Sequence, residues 1–238
     1  FYDKSALNHI HGEYYLLNNE LEQIRVGANF RQYTPDSKGT IFIDTNDVPI
    51  INKEFGAYVG FKKNIPKDGL TFSSTYRLDK NDNFDYLFSP AISAVYKPTE
   101  KDIIRFSFSS AIRNPTLSDQ YLFYNAGRAI LIGNISGHGS EGGPHFNNSK
   151  ENMVTVQSLI NYFLPPLENR HVDSLKFFKI DPIRPEKAKS IEIGYRTTLF
   201  DRLYLDANYY YSKYTDFIGY KIGVKFNYYE QSGGHAIS

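Results

Sequence analysis

Residues 104–113 read IRFSFSSAIR and alternate without a break. Strand side chains point to opposite faces in turn. Ile104, Phe106, Phe108, Ser110 and Ile112 therefore share one face, and Arg105, Ser107, Ser109, Ala111 and Arg113 share the other. A greasy outside with an arginine-lined inside suits a strand of a transmembrane barrel. The alternation stops at Asn114-Pro115, where proline removes a ladder donor and opens a loop.

The same pattern recurs in Gln23–Tyr33, Lys53–Lys63, Gly69–Asp79, Asp85–Lys97, Ser190–Phe200 and Arg202–Tyr214. A shorter strand is expected at Glu13–Leu17, and Phe217–Asn227 is a candidate to begin another. The connections Asn18–Glu22, Asn64–Asp68, Pro98–Asp102 and Asp201–Arg202 are tight. Between them lie Thr34–Asn52, Lys80–Phe84 and a long connection at about 114–189. Short turns on one side and longer loops on the other are the rhythm of a membrane barrel, and strands of roughly 9–11 residues suit a tilted crossing. Within the long connection, Val156, Leu159, Ile160 and Phe163 follow helical spacing, and Pro165-Pro166 end that helix.

Composition narrows the function classes. Lys plus Arg (27) nearly balance Asp plus Glu (26), so bulk charge gives no argument for nucleic acid. There are 20 Tyr and 18 Phe, side chains that suit strands and membrane interfaces. The mean hydropathy of −0.46 does not exclude a barrel, because inward-facing residues dilute it. No apolar run approaches the roughly 18 residues of a membrane helix. Cysteine is absent, which excludes disulfides and thiol catalysis. The chain starts at Phe1 and ends in Gly233-Gly234-His235-Ala236-Ile237-Ser238, and we read it as an internal piece of a longer protein.

Several stretches resemble one family. Ser109-Ser110-Ala111-Ile112-Arg113-Asn114-Pro115-Thr116 resembles the FRNPT strand end of TonB-dependent outer-membrane receptors. Arg184-Pro185-Glu186, continuing through Ser190, Glu192 and Gly194-Tyr195, looks like their L-x-P-E-x-x-x-S-x-E-x-G-Y strand. Residues 204–211 are similar to the strand that follows it. Arg31-Gln32-Tyr33, Ser37-Lys38-Gly39-Thr40 and Glu54-Phe55-Gly56-Ala57-Tyr58 resemble the branch with a carboxypeptidase-regulatory-like N-terminal domain. Ile112 stands where an aromatic is usual, and Arg184 where leucine is usual.

The resemblance implies an all-β fold, an antiparallel transmembrane β-barrel of about 22 strands around a plug. About eight of those strands fall in residues 1–238, with long extracellular loops and no plug-like segment. It implies a receptor and transporter, not an enzyme, in the bacterial outer membrane. Such a receptor takes up a scarce nutrient: a siderophore, haem, cobalamin, a peptide or a glycan. The implied partners are the TonB energising complex, the protein's own plug domain, outer-membrane lipid, a small nutrient ligand and a surface lipoprotein. No nucleic acid and no cofactor are implied.

The polar parity supplies the candidate inward-facing residues Arg25, Arg31, Glu54, Arg77, Arg105, Arg113, Glu192, Arg196 and Asp206. Glu54, Glu192 and Asp206 are the expected wall partners of the arginines, because unpaired buried charge is costly. Tyr121, Phe123 and Tyr124 follow the Arg-Asn-Pro-Thr corner and are candidates for an aromatic ligand platform at the barrel mouth. His138, Glu141 and His145 lie close in sequence in a glycine-rich loop, and His9 and His11 share a strand face. The spacing of the first three matches no helical ligand pair and glycine gives no preorganisation, while His9 and His11 stand near the start of the sequence, so no metal is expected. No catalytic motif is present.

Two rivals remain: a soluble Tyr-rich β-sandwich that binds glycans, and a passive porin-like barrel. A sandwich would hide its apolar parity in a core. The barrel reading also expects an open meander whose first and last strands do not pair. It places Phe61 and Tyr96 in an inner aromatic girdle and Tyr76 and Tyr211 in an outer one.

Overall fold

The computed structural model describes residues 3–44, 49–127, 129–135, 153–176, 180–225, 228–231 and 234–237. The chain divides into two units, residues 1–115 with 184–217, and residues 116–183 with 218–238.

The first unit is one antiparallel sheet. Its strands are β1 (Ala6–Asn18), β2 (Glu22–Thr34), β3 (Asn52–Ile65), β4 (Leu70–Asn81), β5 (Phe84–Tyr96) and β6 (Ile103–Arg113). After the small strands β7 (Phe123–Asn125), β8 (Ile130–Ile132) and β9 (Met153–Thr155) come β10 (Glu186–Leu199) and β11 (Leu203–Thr215). The eight long strands pair in the order β1-β2-β3-β4-β5-β6-β10-β11. As expected, the meander is open: β1 and β11 lie at opposite edges.

Cross-strand register carries the alternation from strand to strand. Ile24, Phe61, Ser74, Ile92, Phe108, Ile191 and Tyr211 form one row on the apolar face. Phe55, Phe72, Phe88, Phe106, Ile193 and Leu205, all of that parity, are exposed. A soluble protein rarely leaves so large an apolar area uncovered. The sandwich rival fails here, because a sandwich interdigitates these side chains with those of a second sheet.

Several boundaries differ from the sequence reading. β1 is thirteen residues long, not a short strand at Glu13–Leu17, and β10 starts at Glu186. The long connection is therefore 114–185. The β4–β5 connection is not one of the longer loops. It is a tight turn at Asp82-Asn83, because both strands extend past the alternating core. Tyr76 consequently sits in the middle of β4, not at its end, and stacks on Phe88 at 6.3 Å. Tyr96 ends β5 as expected. The β5–β6 ladder reaches only from Tyr96↔Ile104 to Ala91↔Ser109. Pro90 comes next and has no N–H to extend it.

The turn ends have local causes. A 3-10 turn at Pro66–Asp68 closes on Gly69, at φ 61. A Cβ there would lie 2.3 Å from the Lys97 carbonyl oxygen, so glycine is required. Phe200 and Asp201 are the central residues of a turn closed by the Arg202 N–H on the Leu199 carbonyl, in a three-residue connection; their φ of 52 and 54 make the left-handed pair that suits a tight hairpin.

The second unit is small. α1 (Leu117–Tyr121) starts at a capping box formed by Thr116 and Asp119. β7 pairs with β8. α2 (Val156–Phe163) is the expected helix, capped by the Thr155 hydroxyl. Val154, Tyr162 and Leu175 form its buried cluster, with Leu159 and Val224 packed against them. Among its described residues, Phe217–Asn227 adds no strand to the large sheet. The strand described there is β12 (Gly223–Lys225), which pairs with β9. β13 (Tyr228–Gln231) and β14 (Gly234–Ile237) make a last hairpin.

Candidate functional site

The polar face of the sheet carries the predicted charged residues, and the register brings them together in clusters. One row runs Glu13–Gly27–Tyr58–Arg77 and the next runs His11–Asn29–Gly56–Asp79. Glycines alternate with long side chains, which then lie flat across them. The Tyr58 phenol passes over Gly27 and donates to Glu13 at 2.5 Å. A Cβ at Gly27 would fall 2.3 Å from the Tyr58 ring.

Arg77 donates from Nε and Nη2 to the two oxygens of Asp79, at 2.7 and 2.6 Å, a bidentate pair. Its Nη2 also reaches Asn29 Oδ1 at 2.8 Å, above Gly56. The guanidinium stands 5.9 Å from the Tyr58 ring centroid. Arg25 crosses Gly60 and approaches Glu13 at 3.7 Å. A shallow cavity of about 210 Å³ beside Arg25 and Gly60 is smaller than a typical ligand pocket of about 300–1,000 Å³.

A second cluster forms on β6, β10 and β11. Arg105 and Arg196 share the Asp206 carboxylate, at 2.6 and 3.1 Å. Arg105 also donates to Asn208 and lies over Gly194. Two guanidinium groups on one carboxylate leave excess positive charge. The Arg105 Nε is shielded from solvent and has no acceptor among the described residues. This cluster suits an incoming carboxylate or other anion.

The third cluster centres on Glu54 of β3. Its Oε1 accepts from Asn81 at 3.0 Å and from Asn114 at 3.1 Å, and its Oε2 accepts from Tyr33 at 3.3 Å. Arg31 lies 3.9 Å away. Asn81 also donates to Asn52, and both are almost fully buried. Glu54 thus ties β2, β3 and β4 to Asn114, the first residue of the long connection.

The expected pairing holds for Glu54 and Asp206. It does not hold for Glu192, which stands opposite Ser107 and Tyr210 and makes no ion pair among the described residues. Arg113 pairs instead with Glu186 at 2.5 Å. The sequence reading missed Glu13, Tyr58, Asp79 and Glu186. A usable signal was present for Tyr58: a long side chain on the polar parity beside a strand with glycine on the same parity.

The aromatic candidates lie in the second unit. Tyr121 ends α1, while Phe123 and Tyr124 are consecutive in β7, opposite Ile132 and Leu131. Consecutive strand residues face opposite ways, so Phe123 and Tyr124 do not form one platform. His11 stacks on Tyr58 at 6.4 Å between centroids. No group of three metal-ligating side chains occurs among the described residues. His138, Glu141 and His145 lie outside them.

Outside the strands, Asp102 ends the turn before β6. The Thr99 hydroxyl donates to it at 2.6 Å and the Tyr195 phenol at 2.7 Å. These donors, Thr99 first, hold its carboxyl below the usual carboxylate range.

Comparison with known proteins agrees with this geometry. The siderophore receptor PirA from Pseudomonas aeruginosa superposes with a TM-score of 0.53 at 16% identity, over 89% of this chain and 32% of its own. The siderophore receptor PirA from Acinetobacter baumannii gives 0.56 at 14%, over 98% and 31%. A mutant ferric enterobactin receptor from P. aeruginosa, in complex with enterobactin, gives 0.53 at 14%, over 98% and 29%. The chain thus spans about a third of the length of these receptors. No curated protein sequence matches it. The family profile described as "TonB dependent receptor-like, beta-barrel" matches residues 2–236. With almost the whole chain covered by that profile, the protein belongs to the TonB-dependent receptor β-barrel family.

Proposed function

We propose that these strands form part of the wall of an outer-membrane barrel that takes up a scarce nutrient with energy from the TonB complex. The observation that supports this reading is the division of one sheet into an apolar face and an ion-paired face. Lipid would cover the first, and the plug would rest against the second. Arg105 and Arg196, with one carboxylate between them, are the proposed contact for an acidic group of the plug. An iron chelate is the proposed cargo class, after the receptors of like fold. Tyr121, Phe123 and Tyr124 are the proposed ligand contacts.

The test uses cells that make the native protein carrying these residues, and a strain deleted for it. Uptake of radiolabelled ferric siderophores, haem and cobalamin is followed with and without a protonophore. The expected result is loss of one uptake activity in the deletion strain, and equal loss on uncoupling. Uptake that survives uncoupling would replace this reading with the passive-pore alternative. Single alanine substitutions at Tyr121, Phe123 and Tyr124 should weaken ligand binding without removing the protein from the membrane.

A further inference from the structure

We propose that the polar face carries a site for a divalent transition-metal ion, with copper(II) held most tightly, built by His11 and Glu13 of β1 and Tyr58 of β3. His11 and Glu13 are two of the usual ligand types and stand two residues apart on one strand face. The third donor is a phenol that reaches them across β2, from 45 residues along the chain. The Tyr58 hydroxyl lies 2.5 Å from a Glu13 oxygen and 3.5 Å from His11 Nε2. Metal bonds of about 2.0–2.2 Å put neighbouring donors about 2.8–3.6 Å apart. The phenol and the imidazole already have that separation. The phenol and the carboxylate have to part by only a few tenths of an ångström.

The surroundings aim the phenol. Its ring crosses Gly27, where a Cβ would fall 2.3 Å away, and the His11 ring lies 13° from parallel to it. On binding, the phenol gives its proton to water, and the carboxylate exchanges the phenol's hydrogen bond for the metal. Carboxylate and phenolate then carry two negative charges. These balance a divalent ion, so the neighbouring Arg25 and Arg77 face a neutral centre. His9 comes next along the same face but stands opposite Arg31, a cation with no such balance beside it. The set is therefore His11, Glu13 and Tyr58.

The donor set selects the ion. Calcium takes about six to eight oxygen ligands, and magnesium a rigid octahedron of oxygens. One imidazole with two anionic oxygens suits a first-row transition ion instead, and copper(II) exceeds zinc(II) at a given site. His11 and Glu13 are exposed on an edge strand of the sheet, so water can complete the coordination. The bound ion would clip β1 to β3 across β2. The site depends on the register of these three strands and on no particular cargo.

The experiment uses the native protein carrying these residues, in neutral detergent, stripped with a chelator and titrated with copper(II), zinc(II) or calcium chloride. Calorimetry reads affinity, and visible absorption reads phenolate-to-copper charge transfer. Copper should bind most tightly, zinc next and calcium not at all. Copper should also bring up the visible band, which needs a phenolate and so separates this site from any imidazole elsewhere in the chain. Tyr58→Phe should abolish the band. His11→Ala and Glu13→Gln should each weaken copper by more than about 100-fold, beyond the roughly 10–100-fold cost of losing a hydrogen-bond partner around a metal. His9→Ala should keep both band and affinity. Thermal unfolding without metal should give these variants the parent's midpoint, which separates ligand loss from misfolding. Copper bound without the band, or a band that survives Tyr58→Phe, would overturn the site. Calcium binding as tight as copper would overturn the choice of a transition ion.

Discussion

Replacing Ile193 with arginine tests the assignment of the two faces most directly. Ile193 is the eighth of the fourteen residues of β10 and is 52% exposed on the apolar face, between Phe106 and Tyr209. A strand of that length runs about 46 Å, or about 35 Å along the membrane normal at a tilt near 40°. Its middle therefore falls close to the bilayer midplane. Arginine on the lipid face at that depth costs about 2–4 kcal/mol. Ser107 supplies the control, because it faces the other way opposite Glu192. Arginine there gains a carboxylate neighbour and should change stability by less than about 0.5 kcal/mol. Equilibrium urea unfolding of the native protein in lipid vesicles reads both values, with heat-modifiable gel mobility as a check on folding. A destabilised Ser107→Arg beside an unaffected Ile193→Arg would mean that the faces are inverted. Equal, small effects would mean that no lipid contacts the sheet.

Gly27→Ala should force Tyr58 off Glu13 and cost about 1–3 kcal/mol. Combined with Tyr58→Phe it should cost less than the sum of the two, as read by a double-mutant cycle. Glu54→Leu should cost about 2–3 kcal/mol by stranding Asn81 and Asn114, while Glu54→Gln should cost about 1 kcal/mol. The same Leu variant should be cut faster by protease within residues 114–185, because Asn114 loses its anchor. Asp102 is held below its ordinary value of 3.8, so its ionised form favours the folded state. That stabilisation is present above pH about 4 and is lost as pH falls through the folded value. Asp102→Asn should flatten the acid limb of the stability curve, and an unchanged limb would remove Asp102 from the account.

Strand parity was legible because it is a property of neighbouring residues. IRFSFSSAIR sorts its own side chains, and so do Ile191, Ile193 and Tyr195 against Glu192, Gly194 and Arg196. The order of short and long connections and the helix before Pro165-Pro166 were local in the same sense. The partners of the charged residues were not local. Tyr58 finds Glu13 at a separation of 45 residues, Arg105 finds Asp206 at 101 and Glu54 finds Asn114 at 60. Those meetings depend on register, which a one-residue slip would reverse. The same holds for the facing of Lys189 with Lys213, and for the break that Pro90 makes in the β5–β6 ladder. The sequence by itself determined which face each side chain takes. Only the pairing of whole strands decided which side chains meet on that face, because hydrogen-bonded register is a joint property of two segments far apart in the chain.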